Sequence, residues 1–395
     1  MSEGVPPVFP ARAAAYTPAA IGGRPPLVVA WEVTRACPLA CRHCRAAAQH
    51  VAHPAELTHE EGRAFIADLA EGYPGAVLIL TGGEPLTRAD TLELAAEATA
   101  LGLRTALSVD VGWLLTPERC AAIAAAGVQR VSFSIHFPDA ERSDHFASMP
   151  GFFEAAGTGL ANLRAAGVPF QLHTSVMRSN ASALPQLYEL AAELGADGWE
   201  LFFLVPTGRG AGLAGEELDP HEQERVLRWL YDLQRTAPFP VKQICAPHFR
   251  RVEAQTARER KERRPQRVTT RLTTMSRGCL SGNGFCFVSH VGEVCGCGFL
   301  PLAVGNVRDH GFSSLYREAP LFQAFRDPAR LGGACGACEY RVLCGGCRAR
   351  AYAATGDPLA EEPDCAYEPP GYRRLPSGGD VSPGAVGVAA GKGGC

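Results

Sequence analysis

Leu27-Val28-Val29-Ala30-Trp31-Glu32-Val33 is an apolar run of strand length, and Cys37-Pro38-Leu39-Ala40-Cys41-Arg42-His43-Cys44 begins just after it. A strand that empties into a loop of thiols reads as the start of a βα unit with its chemistry at the strand's C-terminal end. Three thiolates at this spacing can take three corners of a cuboidal iron–sulfur cluster, leaving the fourth iron without a protein ligand. An open iron can bind and activate a small molecule, whereas a fully ligated cluster only passes electrons. The competing reading is an incomplete zinc site. Structural zinc wants four ligands, and no fourth Cys or His stands at zinc-finger spacing, although His43 lies inside the motif.

Outward from this unit the chain alternates. Thr58-His59-Glu60-Glu61 is a capping box predicted to open a helix to about Ala70. A strand is predicted at Val77 to Leu80, followed by Thr81-Gly82-Gly83-Glu84-Pro85, and Asp90 is read as the cap of the next helix. Further strands are predicted from Arg104 to Val109, Arg130 to Ile135, Phe170 to Val176 and Trp199 to Val205, with helices between them. One of those helices opens on Thr116-Pro117-Glu118, an N-cap followed by proline at the first helical position. Helices stop at Gly102, Gly127, Gly167 and Gly195, each shortly before a strand, where glycine supplies a left-handed cap. Six strands alternating with helices argue for parallel βα units, two short of a closed eight-stranded barrel.

The 395 residues suffice for two or three domains. The predicted divisions are a disordered lead-in (1–25), the α/β core (26–210), a helical and basic connector (211–277), a cysteine-rich domain (278–367) and a disordered tail (368–395). In the connector, Glu222 to Arg235 reads as an amphipathic helix, and Arg250 to Arg271 is a basic run expected to be solvated. A net charge of −3 gives no reason to expect nucleic acid or an acidic membrane surface as partner. No apolar run is long enough to span a membrane, and the N-terminal residues lack the apolar core of a secretory signal, so a cytoplasmic location is expected. Cysteine is abundant, and eleven of the fifteen lie after residue 244. In a reducing compartment such clustering favours metal or redox work over disulfides.

The motif Cys37-x3-Cys41-x2-Cys44 resembles the signature of the radical S-adenosylmethionine (radical SAM) superfamily. The resemblance implies an open, partial (β/α)6 TIM-like barrel whose Cys37, Cys41 and Cys44 hold a [4Fe–4S] cluster, and whose open iron chelates SAM. Gly82-Gly83-Glu84-Pro85 is similar to the family's GGEP element, in which glycines permit close backbone approach and a carboxylate meets the ligand's ammonium group. The resemblance further implies that His43, Gly82, Gly83, Glu84, Ser134 and Leu204 face the cofactor. Ser134 lies in Ser132-Phe133-Ser134-Ile135-His136, where related chains carry Asp in place of His136. That leaves His136 either as a substrate contact or as a satisfied structural histidine.

The C-terminal spacing, Cys279-x12-Gly292-x4-Cys297 followed by Cys335-x2-Cys338-x5-Cys344-x2-Cys347 and Cys365, resembles the SPASM domain with its two auxiliary [4Fe–4S] clusters. Carried over, Cys279, Cys286, Cys297 and Cys347 would hold one cluster, and Cys335, Cys338, Cys344 and Cys365 the other. Cys295 competes with Cys297, the family's final pair is usually spaced by three residues, and a pair of zinc sites is the rival reading. Arg42-His43-Cys44-Arg45-Ala46, Phe203-Leu204-Val205-Pro206-Thr207-Gly208-Arg209 and Ala246-Pro247-His248-Phe249-Arg250-Arg251 resemble a branch that modifies tetrapyrrole propionates in haem and denitrification-haem biosynthesis. This implies Arg209, Arg250 and Arg251 as propionate partners, with His248 and His136 near the substrate. Flavodoxin or ferredoxin would be the reductant. The alternatives are maturation of a ribosomally made peptide and a non-enzymatic electron-transfer role.

Overall fold

The computed structural model describes residues 25–261 and 278–372. The lead-in, the basic run beyond residue 261 and the tail with Cys395 lie outside the described residues.

Seven parallel strands, each hydrogen-bonded to the next, form the core: β1 (Val28–Thr34), β2 (Val77–Gly82), β3 (Arg104–Ser108), β4 (Arg130–Ser134), β5 (Phe170–Val176), β6 (Trp199–Phe203) and β7 (Val241–Ile244). The seventh strand falls in the stretch read as a connector. It follows Pro240 and pairs with β6 from Trp199↔Val241 to Phe202↔Ile244. On the other side of β1 the sheet continues through β8 (Phe285–Val288), parallel to β1, and then β9 (Glu293–Cys295) and β10 (Ala303–Asn306), which run antiparallel. The cysteine-rich end of the chain therefore extends the core sheet rather than hanging from it. The sheet is open, with β10 and β7 at its edges.

Helices cover the outer face. The capping box at Thr58 is present and opens α1 (His59–Gly72). Trp31 of β1 is fully buried and meets Phe65 of that helix edge to face at 5.6 Å, a burial worth roughly 1.5–3 kcal/mol. The helix after β2, Thr91–Ala100, lacks the expected Asp90 cap. The Asp90 carboxylate is taken instead by Arg88 and His59. A short helix at Ala140–Ala147, not anticipated, fills the loop after β4. The four helix-ending glycines all take positive φ, from 71° to 87°.

The inner face differs from a closed barrel core. Along β5, Phe170, Leu172, Thr174 and Val176 are buried, while Gln171, His173 and Ser175 are half-buried. Strands packed on both faces carry near-continuous apolar runs. This alternation marks a concave side open to polar groups or a ligand.

Candidate active site

The Cys37–Cys44 loop is fixed by backbone contacts from two directions. Gly83 N–H donates to Thr34 O and Glu84 N–H to Ala36 O, both at 2.7 Å. A Cβ on Gly83 would stand 2.3 Å from Ala36 O, so only glycine lets β2 dock this closely on the cysteine loop. From the other side, Arg209 N–H donates to Cys44 O at 3.0 Å. Its guanidinium donates to Cys41 O at 2.9 Å and to Ala48 O at 2.7 Å. Arg209 is therefore a clamp on the loop, not the open propionate partner expected from sequence.

The three thiols are buried or half-buried. Backbone N–H groups of Leu39 and Ala48 donate to the sulfurs of Cys37 and Cys44, both at 3.4 Å. Burial pushes the Cys37 thiol up to about 12 and raises Cys41 as well, with Asp110 among the charges adding to both. Thiolates in this setting need a cation in compensation, which an iron cluster supplies, so the donor set fits that group.

Glu84 is fully buried. Its carboxylate accepts from Leu86 N at 3.0 Å, Asp110 N at 2.8 Å and Val111 N at 3.0 Å. Burial raises its carboxyl to about 8, against the pull of those donors. Glu84 thus bolts the end of β2 to the end of β3 instead of presenting a free carboxylate. Asp110, which sequence reading missed, follows β3 and accepts from Ser134 N at 2.7 Å. Ser134 is committed to Asp110, and the Leu204 carbonyl accepts from Arg350 at 2.8 Å. The signal for Asp110 was its position, a lone carboxylate just past the C-terminal end of a parallel strand.

His43, His136 and Phe146 form an aromatic triangle beside the loop, with ring centroids 4.3 to 5.0 Å apart. His136 Nδ1 accepts from Ser175 N at 3.0 Å, which leaves its proton on Nε2. Burial, with the Arg209 charge, lowers His43 to about 4, and burial beside His43 and His173 holds His136 well below its ordinary value. Both are neutral near pH 7. Further along the concave side, His173, Glu200 and Lys242 form a row across β5, β6 and β7, with Glu200 bonded to Lys242 at 3.2 Å and 3.4 Å from His173.

Glu32 ties this region to the C-terminal cysteines. It is fully buried on β1 and lies 2.8 Å from Arg45, 2.9 Å from Arg35 and 3.1 Å from His290. Burial alone would raise its carboxyl; Arg45, His290 and Arg35 bring it down to about 2. Arg45 also donates to Gly298 O at 3.2 Å, next to Cys297.

The C-terminal thiols gather in two nests. Cys335, Cys338, Cys344 and Cys365 line one cavity with His248, Arg251 and Glu362. Cys347 lies close enough to help raise the thiols of Cys279 and Cys297, Cys279 adds to the rise at Cys297, and Cys286 stands near Cys297. Cys295 is directed elsewhere, packing with Ala30 and Phe287. Cys245, left over in the sequence reading, donates to Cys347 and draws that thiol down. Cys245 has a left-handed φ of 59°, uncommon for a residue with a side chain. Among the described residues no three His, Cys, Asp or Glu side chains converge so as to hold a single metal ion.

The other expected substrate residues also turn inward. His248 is 1% exposed. Arg251 pairs with Glu224 and reaches Cys365 Sγ at 3.8 Å. Arg250 pairs with Glu253 at 3.2 Å.

An open parallel sheet with a three-cysteine loop after its first strand, extended by a cysteine-rich C-terminal module, defines an S-adenosylmethionine-cleaving iron–sulfur enzyme. Residues 31–191 match the radical SAM superfamily and residues 279–339 the SPASM iron–sulfur cluster-binding domain. The chain is 47% identical to the AdoMet-dependent heme synthase of Methanosarcina barkeri over 87% of its own length and 97% of that protein's. It is 45% identical to the protein of that name from Nitratidesulfovibrio vulgaris, over 87% and 92%. Its fold is similar to Streptococcus suis SuiB bound to S-adenosylmethionine, with TM-score 0.67 over 87% of this chain and 77% of that one, at 14% identity. The chain belongs to the radical SAM superfamily and carries a SPASM domain, and it is an enzyme that uses SAM and iron–sulfur clusters. No helix among the described residues is long and apolar enough to cross a membrane.

Proposed function

We propose that this enzyme completes a haem by modifying propionate side chains of an iron-bearing tetrapyrrole. The observation that carries this reading is the 47% identity to an AdoMet-dependent heme synthase across nearly its whole length. Cys37, Cys41 and Cys44 hold the SAM-binding cluster, and the two C-terminal nests hold the auxiliary clusters, with Cys297 rather than Cys295 in the first. When bound, cluster and SAM supply a 5′-deoxyadenosyl radical for hydrogen abstraction, fed by a flavodoxin- or ferredoxin-type reductant. The chain's own part is positional. Gly83 and Arg209 hold the cysteine loop, Asp110 and Glu84 lock the strand ends beside it, and the neutral His43–His136 pair keeps one wall apolar and free of charge.

With Arg209, Arg250 and Arg251 committed internally, the substrate carboxylates need another cation. Arg42, inside the cysteine motif, is exposed and has no ion-pair partner among the described residues. With Asp144, His145, Ser148, Met149 and Pro150 it lines an open cleft of about 630 Å³, within the size range of small-molecule sites. Arg42 is the propionate partner in this reading.

A Soret-band titration with iron coproporphyrin tests it. Saturable binding is expected for the wild type. Arg42→Ala should weaken it about ten- to a hundredfold, since a charge-assisted pair contributes roughly 1.5–3 kcal/mol. No saturable binding of any porphyrin by the wild type rejects the reading and puts a peptide substrate first.

A further inference from the structure

His248 is buried at 1% exposure, and neither ring nitrogen has a hydrogen-bond partner among the described residues. It lines the cavity formed by Cys335, Cys338, Cys344 and Cys365. A buried, unsatisfied ring N–H is costly in a native protein, so it points to a group that the polypeptide itself does not supply. The rest of the cavity identifies that group's chemistry. Every one of the four sulfurs already receives an N–H donor. Glu362 N reaches Cys335 Sγ at 3.3 Å, Tyr340 N reaches Cys338 Sγ at 3.4 Å and Gly346 N reaches Cys344 Sγ at 3.4 Å. Two guanidinium groups add to these: Arg251 to Cys365 at 3.8 Å and Arg348 to Cys335 at 3.9 Å. Arg251 Nε, like His248, is buried without a partner. The lining is thus built to face something rich in acceptors and negative charge, and a thiolate-bound iron–sulfur cluster is both.

We propose that His248 donates its ring N–H to a sulfur of the cluster held by Cys335, Cys338, Cys344 and Cys365, and thereby sets that cluster's reduction potential. The proposal rests on the auxiliary-cluster assignment made above. Reduction adds negative charge to the cluster, so a donor on sulfur favours the reduced form and raises the potential. His248 acts as a tuning residue rather than a ligand, and it reaches no substrate.

The experiment is an EPR-monitored redox titration of the anaerobically reconstituted holoenzyme. His248→Phe keeps a planar ring and removes the donor; His248→Gln restores one. In His248→Phe, one C-terminal cluster should become about tenfold harder to reduce, about 59 mV lower for a one-electron couple, while His248→Gln stays near wild type. Unchanged potentials in His248→Phe, or equal shifts in both variants, overturn the proposal. Should His248→Phe fail to load iron, pulsed EPR of reduced wild type labelled with 15N-histidine decides. A weak 15N coupling that disappears in Cys338→Ala supports the proposal, and its absence from the wild-type spectrum rejects it. Iron content separates this from the underlying assignment. Wild type with about twelve irons that loses none in Cys338→Ala refutes the ligand set, whatever His248 does.

Discussion

The two cysteine-bearing regions are built by opposite means. At Cys37, Cys41 and Cys44 the three thiols come from one short loop, and what holds it is backbone: carbonyls of the loop accept from Arg209, and carbonyls beside it accept from the Gly83–Glu84 turn. In the C-terminal nests the thiols arrive from positions 279 to 365, and side-chain charges hold the segments together. Arg350, 2% exposed, binds Glu362 at 3.2 Å, Asp364 at 2.9 Å and the Cys245 carbonyl at 3.0 Å. A loop-encoded site needs only a dock, whereas a fold-encoded site needs the whole surrounding architecture. The first should fail locally and the second globally.

The largest effect that tests this contrast is Cys41→Ala. It should abolish 5′-deoxyadenosine release by the reduced enzyme while about eight C-terminal irons remain, read by product chromatography with iron and sulfide analysis. Loss of all iron would mean that the regions are not independent. Next is Arg350→Met, which leaves Glu362 buried without its cation. About 3–5 kcal/mol of stability should be lost, seen in the denaturant midpoint, with both nests emptied. A variant as stable as wild type would show that packing, not charge, assembles the C-terminal end.

Glu32 joins the two regions, and its expected effect lies in acid. Its folded carboxyl sits at about 2 against an ordinary 4.5. The unfolded chain takes up the proton first as pH falls, so the stabilisation is present above about 4.5 and is lost from there down toward 2. The full loss is about 3 kcal/mol, of which about 2 kcal/mol falls between pH 6 and pH 3. Unfolding measured at pH 6 and at pH 3 should show this in wild type and not in Glu32→Gln. The smallest effect is Arg209→Ala. Losing two carbonyl bonds should loosen the loop by about 2 kcal/mol, so a chelator should strip iron from the N-terminal site roughly thirtyfold more readily. The C-terminal irons should be unaffected. If Arg209→Ala instead weakened porphyrin binding alone, its role as a clamp would be wrong.

Strands β3 to β6 were legible because each follows a helix that stops at a glycine, and β5 falls on the predicted residues, Phe170–Val176. β7 was not legible. Val241-Lys-Gln-Ile244 is four residues with polar centres, and it becomes a strand only because β6 offers an edge. The pairing of β8 with β1 carries no local signal either, since register between distant strands is settled by packing. At the site, cysteine spacing separated the three groups of thiols. What the arginines do was hidden. Arg209 binds carbonyl oxygens, and every residue has one, so no sequence pattern marks its acceptors. His248 misled for a related reason. Lying beside two arginines, it suggested an open mouth, whereas the turn between β7 and the helix Phe249–Glu259 directs it into the cavity lined by the C-terminal cysteines. The polar alternation on β5 and the position of Asp110 just past β3 were the signals present and not used.

The continuation of the sheet from β1 to β8 also has a meaning in time. Arg45 and its acceptor Gly298 are separated by 253 residues, and β8 lies just before that acceptor. At about 5–20 residues per second of synthesis, roughly 13–50 s pass before β1 can gain its second neighbour. Throughout that interval the nascent chain displays an unpaired strand edge, the kind of surface that recruits other strands. The ribosome-bound intermediate, with its three-cysteine loop already emerged, therefore carries a strand edge that the finished protein covers with β8.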